Sequence, residues 1–366
     1  MSDPKDWIAA TLLPRMGPAT MARLRSAGVA ASELMHSEQL PGTVQLRPET
    51  LDAIHNYRSG GALYRRACEL EQRAAHSGWT LLTIDSPQYP DLLKQIHDPP
   101  ILLWIHGDPD VLALPQLAVV GSRHASAGGV DHAYRFALDL AAGGLAITSG
   151  LARGIDAAAH KGALDAGRPT LAVLGTGLDR CYPAAHRALA EAIVQGGGAL
   201  VTEYPPGTAP VAHNFPRRNR IISGMSIGTL VVEAAPRSGS LITAREALEQ
   251  GREVFALPGS IHNPLSKGCH SLIKQGAKLA ESSDDILSEL GALLGCLALP
   301  VSNPDDDRRP NDLQDPLLEQ IPFDPIAFDL LADRVDLPAA KLQQELMRLE
   351  LEGYLELRGA FILRTV

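Results

Sequence analysis

The chain has little cysteine, few aromatic residues and no long apolar run. Its 366 residues include four cysteines, Cys68, Cys181, Cys269 and Cys296, widely spread and with no CxxC pair. That spacing argues against a zinc ribbon or a disulfide scaffold and fits a reducing compartment. The longest apolar run, 290–301, has 12 residues and contains a proline, whereas a membrane-spanning helix needs about 20. The opening MSDPKDWIAA carries neither a basic stretch nor a long apolar one, so a cytoplasmic protein is expected rather than a secreted or membrane-inserted one. GxGxxG, GxxxxGK[ST] and HExxH are all missing, and the histidines are scattered. Dinucleotide, P-loop and zinc-protease chemistry therefore lack support, and no cofactor or metal is expected. Because aromatics are only 4% of the chain, one standing among polar residues invites a functional reading.

Charge is unevenly spread. The net charge of −9 argues against a general polyanion binder, yet residues 117–280 hold 16 Lys and Arg against 11 Asp and Glu. Residues 1–116 hold 10 against 13, and residues 281–366 hold 7 against 18. Any anion site belongs in the middle segment.

Four regions follow from the patterning. Residues 1–78 read as a small helical domain, in which the turn Met16-Gly17-Pro18 suggests a helix-hairpin-helix. Such a turn either brings backbone N–H groups to a phosphate or is merely structural. From 79 to 290, continuous apolar runs such as LAVVGSR, LAITSG, TLAVLGTG, ALVTEYP and IGTLVVEA alternate with helical segments. Continuous rather than alternating strands indicate burial on both faces, hence an α/β class: a doubly wound, Rossmann-like, mostly parallel sheet. Residues 291–316 are acidic and rich in Pro and Asn, a linker. Residues 317–366 run helix, turn, helix, hairpin, the order of a winged helix, and are acidic enough to favour protein contacts over phosphate.

Ligands of open α/β sheets bind beyond the C-terminal strand ends. Those ends are rich in Gly and Ser: Gly121-Ser122-Arg123, Ser149-Gly150, Gly175-Thr176-Gly177, the 205–220 loop and Pro236-Arg237-Ser238-Gly239-Ser240. Together they read as an extended anion-binding face. Within NFPRRNRIISG, Phe215 stands beside Arg217, Arg218 and Arg220. An aromatic beside guanidinium groups is the composition of a single-strand nucleic-acid site, with a base on the ring and phosphates on the arginines. The competing reading makes Phe215 a core plug and pairs the arginines with Glu203 or Glu233. Arg123 has the same two readings, phosphate fork or partner of Glu233. Asp156 and His160, four apart on a helix, form either an acid–base pair or a helix cap with a packed histidine.

GSR at 121–123, TSGLARGIDAAAHKGAL at 148–164, LAVLGTGLDRCYP at 171–183, FPRRNRIISG at 215–224, VVEAAPRSGSLITAREALEQGREVFALPG at 231–259 and LIKQGA at 272–277 resemble the DprA/Smf family of DNA-processing proteins. The resemblance implies a cytoplasmic homodimer without enzymatic turnover. It implies binding and protection of incoming single-stranded DNA, and loading of RecA recombinase onto it during natural transformation. It carries DNA contact to Gly121, Ser122, Arg123, Phe215, Arg217, Arg218, Asn219, Arg220, Ser238, Gly239 and Ser240, with Lys274 as a further contact. Two departures stand out. Val211-Ala212-His213 replaces a stretch that often holds a lysine, and Ala184-Ala185-His186 follows Tyr182-Pro183 where members differ. A second function, nucleotide phosphoribohydrolase, rests on a loose likeness of PRSGSLITAREALE to the PGGxGTxxE loop, with Glu246 out of register.

Overall fold

The structure, a computed structural model, describes residues 3–36, 46–295 and 317–364, apart from 323–324, 336, 352–353 and 359–360. Two compact units divide the chain, Met1–Val301 and Ser302–Val366.

The first unit opens with α1 (Pro4–Leu12), α2 (Pro18–Ser26), α3 (Ala31–His36), α4 (Pro48–Arg58) and α5 (Ala62–His76). Proline stands in the first turn of α1, α2 and α4, where its missing N–H costs nothing. The helices of the expected 1–78 domain pack on the sheet that follows them. Trp7, Ile8 and Leu70 share one continuous core with Leu102, Trp104, Val173 and Val201 of the sheet.

The sheet comprises β1 (Thr80–Thr83), β2 (Leu102–Gly107), β3 (Gln116–Val120), β4 (Ala146–Ser149), β5 (Thr170–Val173), β6 (Ala199–Thr202), β7 (Gly228–Val231), β8 (Glu253–Ala256) and β9 (Lys278–Leu279). α6 (Asp91–Lys94) precedes β2, and α7 (Ala127–Ala142), α8 (Ile155–Asp165), α9 (Arg187–Gln195), α10 (Asn214–Met225), α11 (Ser240–Glu249), α12 (Lys267–Lys274) and α13 (Ser283–Gly295) follow in turn. Strand order is β1-β2-β6-β5-β4-β3-β7-β8-β9. Pairing is parallel from β6 through β9, while β2 runs antiparallel to both β1 and β6. The chain winds outward from β3 through β4, β5 and β6, then restarts on the other side with β7. The topological switch therefore lies between β3 and β7, the crevice that ligands of such sheets occupy. A second core of Phe136, Leu140, Ile147, Leu230 and Phe255 fills the space under α7 and α8.

The second unit has β10 (Ile326–Ala327), α14 (Phe328–Ala332), α15 (Ala339–Leu351), β11 (Leu355–Arg358) and β12 (Phe361–Arg364), with strand order β10-β12-β11. Leu331, Leu342, Leu346, Leu349 and Ile362 form its core. Of the expected linker, 291–295 complete α13, and 296–316 lie outside the described residues.

Asp156 and His160 do not pair with each other. The Asp156 carboxylate accepts from the N–H groups of Gly150 and Ala152, at 3.0 and 3.3 Å. His160 is wholly buried, with Nδ1 2.8 Å from Thr170 Oγ1, whose own proton goes to the Ile147 carbonyl. His160 is thus the neutral Nδ1–H tautomer, and burial pushes its pKa from 6.5 down to about 3. Between those values the unfolded chain takes up a proton that the folded chain refuses, so stability falls as pH drops through that window. His160→Gln should flatten this loss in denaturant melts across the window. An unchanged slope would show that other groups carry it.

Candidate nucleic-acid interface

The site is assembled around α10, whose first seven residues belong to the segment 205–220 expected as a loop. Its inward face is not apolar at the start: Asn214, Arg218, Ile221, Ile222 and Met225 are buried at helical spacing. Asn214 Nδ2 donates to the Gly175 carbonyl at 3.0 Å. Arg218 Nη1 donates to the Gly150 carbonyl at 2.9 Å and also to the Val173 carbonyl. Two polar side chains thus staple the helix to the C-terminal ends of β4 and β5. Burial lowers the Arg218 pKa to about 10, with the Asp156 charge opposing that fall, so the guanidinium stays charged. Burial likewise pushes the Asp156 carboxyl up, while Arg218 and the two backbone N–H groups pull it back.

This docking revises the reading of two glycine loops. A Cβ at position 175 would stand 2.9 Å from the Phe215 ring, and one at 150 would stand 2.5 Å from the Arg218 guanidinium. Gly150 and Gly175 are small because α10 lands on them.

Arg220 also turns inward. Its side chain is 5% exposed, with Nε 3.1 Å from Asp98 and Nη2 2.6 Å from Glu203. Arg218 and Arg220 are therefore held as structural hydrogen-bond and ion-pair partners; Arg220 does not reach the crevice, and Arg218 reaches only its wall. Arg217 is exposed, 3.8 Å from Glu203. It borders a different cavity of about 450 Å³, shared with Arg15 and Gly17 of the α1–α2 turn.

Phe215, near the start of α10, is half-buried, and the Arg123 guanidinium lies 5.7 Å from its ring centre. Arg123 does not pair with Glu233. That carboxylate accepts instead from Ser126 N and Oγ, at 2.9 and 2.6 Å, and so holds the start of α7. Ser122 N donates to the Glu233 carbonyl at 2.8 Å, which fixes the turn after β3 against the end of β7. Across the switch point, Ser238 and Ser240 hydroxyls lie 2.7 Å apart at the N-terminus of α11, and Asn219 Nδ2 donates to the Gly239 carbonyl at 3.3 Å.

These groups line a cavity of about 440 Å³ in the β3/β7 crevice. Gly121, Ser122, Arg123, Phe215, Asn219, Ser238, Gly239 and Ser240 all face it, and Arg218 forms part of its wall. Arg217, Arg220 and Lys274 are not among its lining; Lys274 is exposed at the end of α12. Arg237, part of the expected anion-binding face but not of the DNA contacts that the resemblance implies, lines the cavity and is exposed. Its signal was position alone, between β7 and α11. Neither Arg123 nor Arg237 has an ion-pair partner among the described residues.

The family model for DNA recombination-mediator protein A matches residues 80–291. The chain belongs to that family, DprA. A model of the DprA winged helix domain matches residues 301–358. Protein Smf of Escherichia coli (strain K12) is 47% identical over 294 residues, which are 79% of this chain and 77% of that protein. DNA processing protein DprA of Streptococcus pneumoniae is 50% identical over 202 residues, 55% of this chain and 71% of that protein. A solved DprA structure from S. pneumoniae matches with a TM-score of 0.68 at 36% identity, covering 79% of this chain and 99% of that one. DprA from Helicobacter pylori, whose structure is described in terms of a unique single-stranded DNA binding mode, matches with a TM-score of 0.53 at 28% identity, over 59% of this chain and 98% of that one. The family resemblance, the mostly parallel α/β sheet and the C-terminal winged helix are thus all shown. The DprA family is one of DNA processing and recombination. Among the described residues, no helix is long and apolar enough to cross a membrane.

Arg220→Ala removes the partner of two carboxylates, one of them buried. Its cost should be about 3 kcal/mol of folding stability, read from denaturant melts. If Arg220→Ala instead melts like the wild type and loses DNA affinity, the arginine faces DNA after all.

Proposed function

We propose that this protein binds single-stranded DNA without reading its sequence, and that it protects that strand and loads a RecA recombinase onto it during natural transformation. One observation supports the DNA reading above the others: a half-buried phenylalanine lines the switch-point crevice together with two exposed arginines, Arg123 and Arg237, that have no ion-pair partner among the described residues. Base faces are free only in a single strand, and stacking on an aromatic ring is indifferent to base identity. The guanidinium of Arg123 covers the ring that a base would take, so a stacking base replaces it and leaves Arg123 to grip a phosphate. Ser238, Ser240 and the N-terminal end of α11 add hydroxyl donors and a positive helix end. The named activity of the H. pylori relative agrees with this reading. Loading of RecA, action as a homodimer and a cytoplasmic location rest on the family resemblance.

The phosphoribohydrolase reading finds no equipment in the crevice. Glu246 does not line it. Asp156, the carboxylate among its lining residues, is buried and engaged by two N–H groups. Gly224-Met225-Ser226-Ile227-Gly228 has the spacing of a nucleophile elbow, but Ser226 is fully buried and precedes a strand instead of following one.

Fluorescence anisotropy with single-stranded and blunt duplex oligonucleotides of equal length tests the proposal. The single strand should bind more tightly, with affinity falling at about 0.7 log units per log unit of salt for each phosphate contacted. Equal affinity for the duplex would overturn it. Arg123→Ala should weaken binding to every sequence and lower the salt slope by about one contact. Arg123→Lys should restore the slope better than the affinity, because the charge returns without the bidentate fork. Phe215→Ala should lose about 1–3 kcal/mol of binding. A lower melting point with unchanged affinity would make Phe215 a core plug.

A further inference from the structure

We propose that a second cavity, on the other side of the Arg123–Phe215 wall, holds the nucleotide adjacent to the one in the crevice, so that each chain grips two consecutive nucleotides. The inference rests on the single-strand reading above and adds a subsite to it. This cavity measures about 490 Å³ and shares Arg123, Ala152, Phe215 and Arg218 with the crevice. Its other walls come from His124, Arg153 and the loop 181–185. No Asp or Glu lines it, which sets it apart from an ordinary surface depression on a chain of net charge −9.

Two features match a nucleotide. The first is an aromatic platform. Tyr182 is 46% exposed, and its ring centre lies 5.2 Å from that of Phe215 with the planes tilted by 41°. Its loop is held in place: Thr176 Oγ1 donates to the Arg180 carbonyl at 2.7 Å, and His186 Nδ1 lies 2.9 Å from the Leu151 carbonyl. A fixed, exposed tyrosine in a chain this poor in aromatics offers one face to a base at little ordering cost. The second is charge. Arg153 is exposed and has no ion-pair partner among the described residues. Arg123, on the shared wall, meets the phosphate that links the two nucleotides, and Arg153 meets the next one. The site carries arginine where Ala184 and Ala185 leave the neighbouring loop uncharged. It offers ring faces and phosphate donors, so it takes any base.

The test uses the full chain. Tyr182→Trp places an indole reporter at the rim of the cavity. Its emission, read against the wild type, should be quenched as a 20-nucleotide oligo-dT saturates the protein, with the midpoint seen by anisotropy. Tyr182→Ala should weaken that binding about tenfold while Tyr182→Phe restores it. Arg153→Ala should lower the salt slope by about 0.7. Melting temperatures should stay at the wild-type value, because Tyr182 and Arg153 lie at the surface. If the wild type binds the oligonucleotide but the indole is not quenched and Tyr182→Ala and Arg153→Ala keep full affinity, the second subsite is overturned and the crevice reading stands. If the wild type does not bind single strands at all, both fall together.

Discussion

Everything at the crevice depends on one buried guanidinium. Arg218 gives up most of its hydration to lie under α10, a cost of several kcal/mol for an uncompensated charge. Compensation comes from the Gly150 and Val173 carbonyls, which project beyond the ends of β4 and β5, and from the Asp156 charge nearby. These carbonyls are the groups that a parallel sheet leaves unpaired where its strands stop. By answering them, Arg218 fixes the height and rotation of α10 above the sheet. Phe215, three residues earlier, is thereby set against Gly175 and beside Arg123.

That constraint separates the arginines into two populations. Arg218 and Arg220 are consumed internally, one by carbonyls and the other by Asp98 and Glu203. Arg123, Arg153 and Arg237 keep their donors for solvent. A buried pair contributes rigidity and little available field, whereas an exposed, unpaired guanidinium attracts a phosphate at the strength that salt allows. At the crevice the available guanidiniums are those of Arg123 and Arg237, while the Glu233 carboxylate is turned to hold the start of α7.

The helical front contributes to the same architecture. Trp7 and Leu70 pack into the core that covers one face of the sheet, so the front closes the β1, β2 and β6 side instead of hanging from it. The winged helix has its own core, built mainly of leucines.

The strands were legible from sequence because burial on both faces leaves unbroken apolar runs. β4, β5, β6 and β7 fall inside segments that composition alone marks, and so does β3 apart from Gln116 at its start. The loops after β3 and β7 were legible as a ligand face for a topological reason: parallel strands place their C-terminal ends on one side. The helix α10 was not legible, because its inward positions hold Asn214 and Arg218, which read as solvent-facing until their acceptors are known. Those acceptors are remote: Gly150 is 68 residues from Arg218, and Asp98 is 122 residues from Arg220. Sequence alone thus determined where charge and aromatic character are concentrated. Only the tertiary structure decided which arginines remain free, because a side chain's availability depends on groups that folding brings to it from far along the chain.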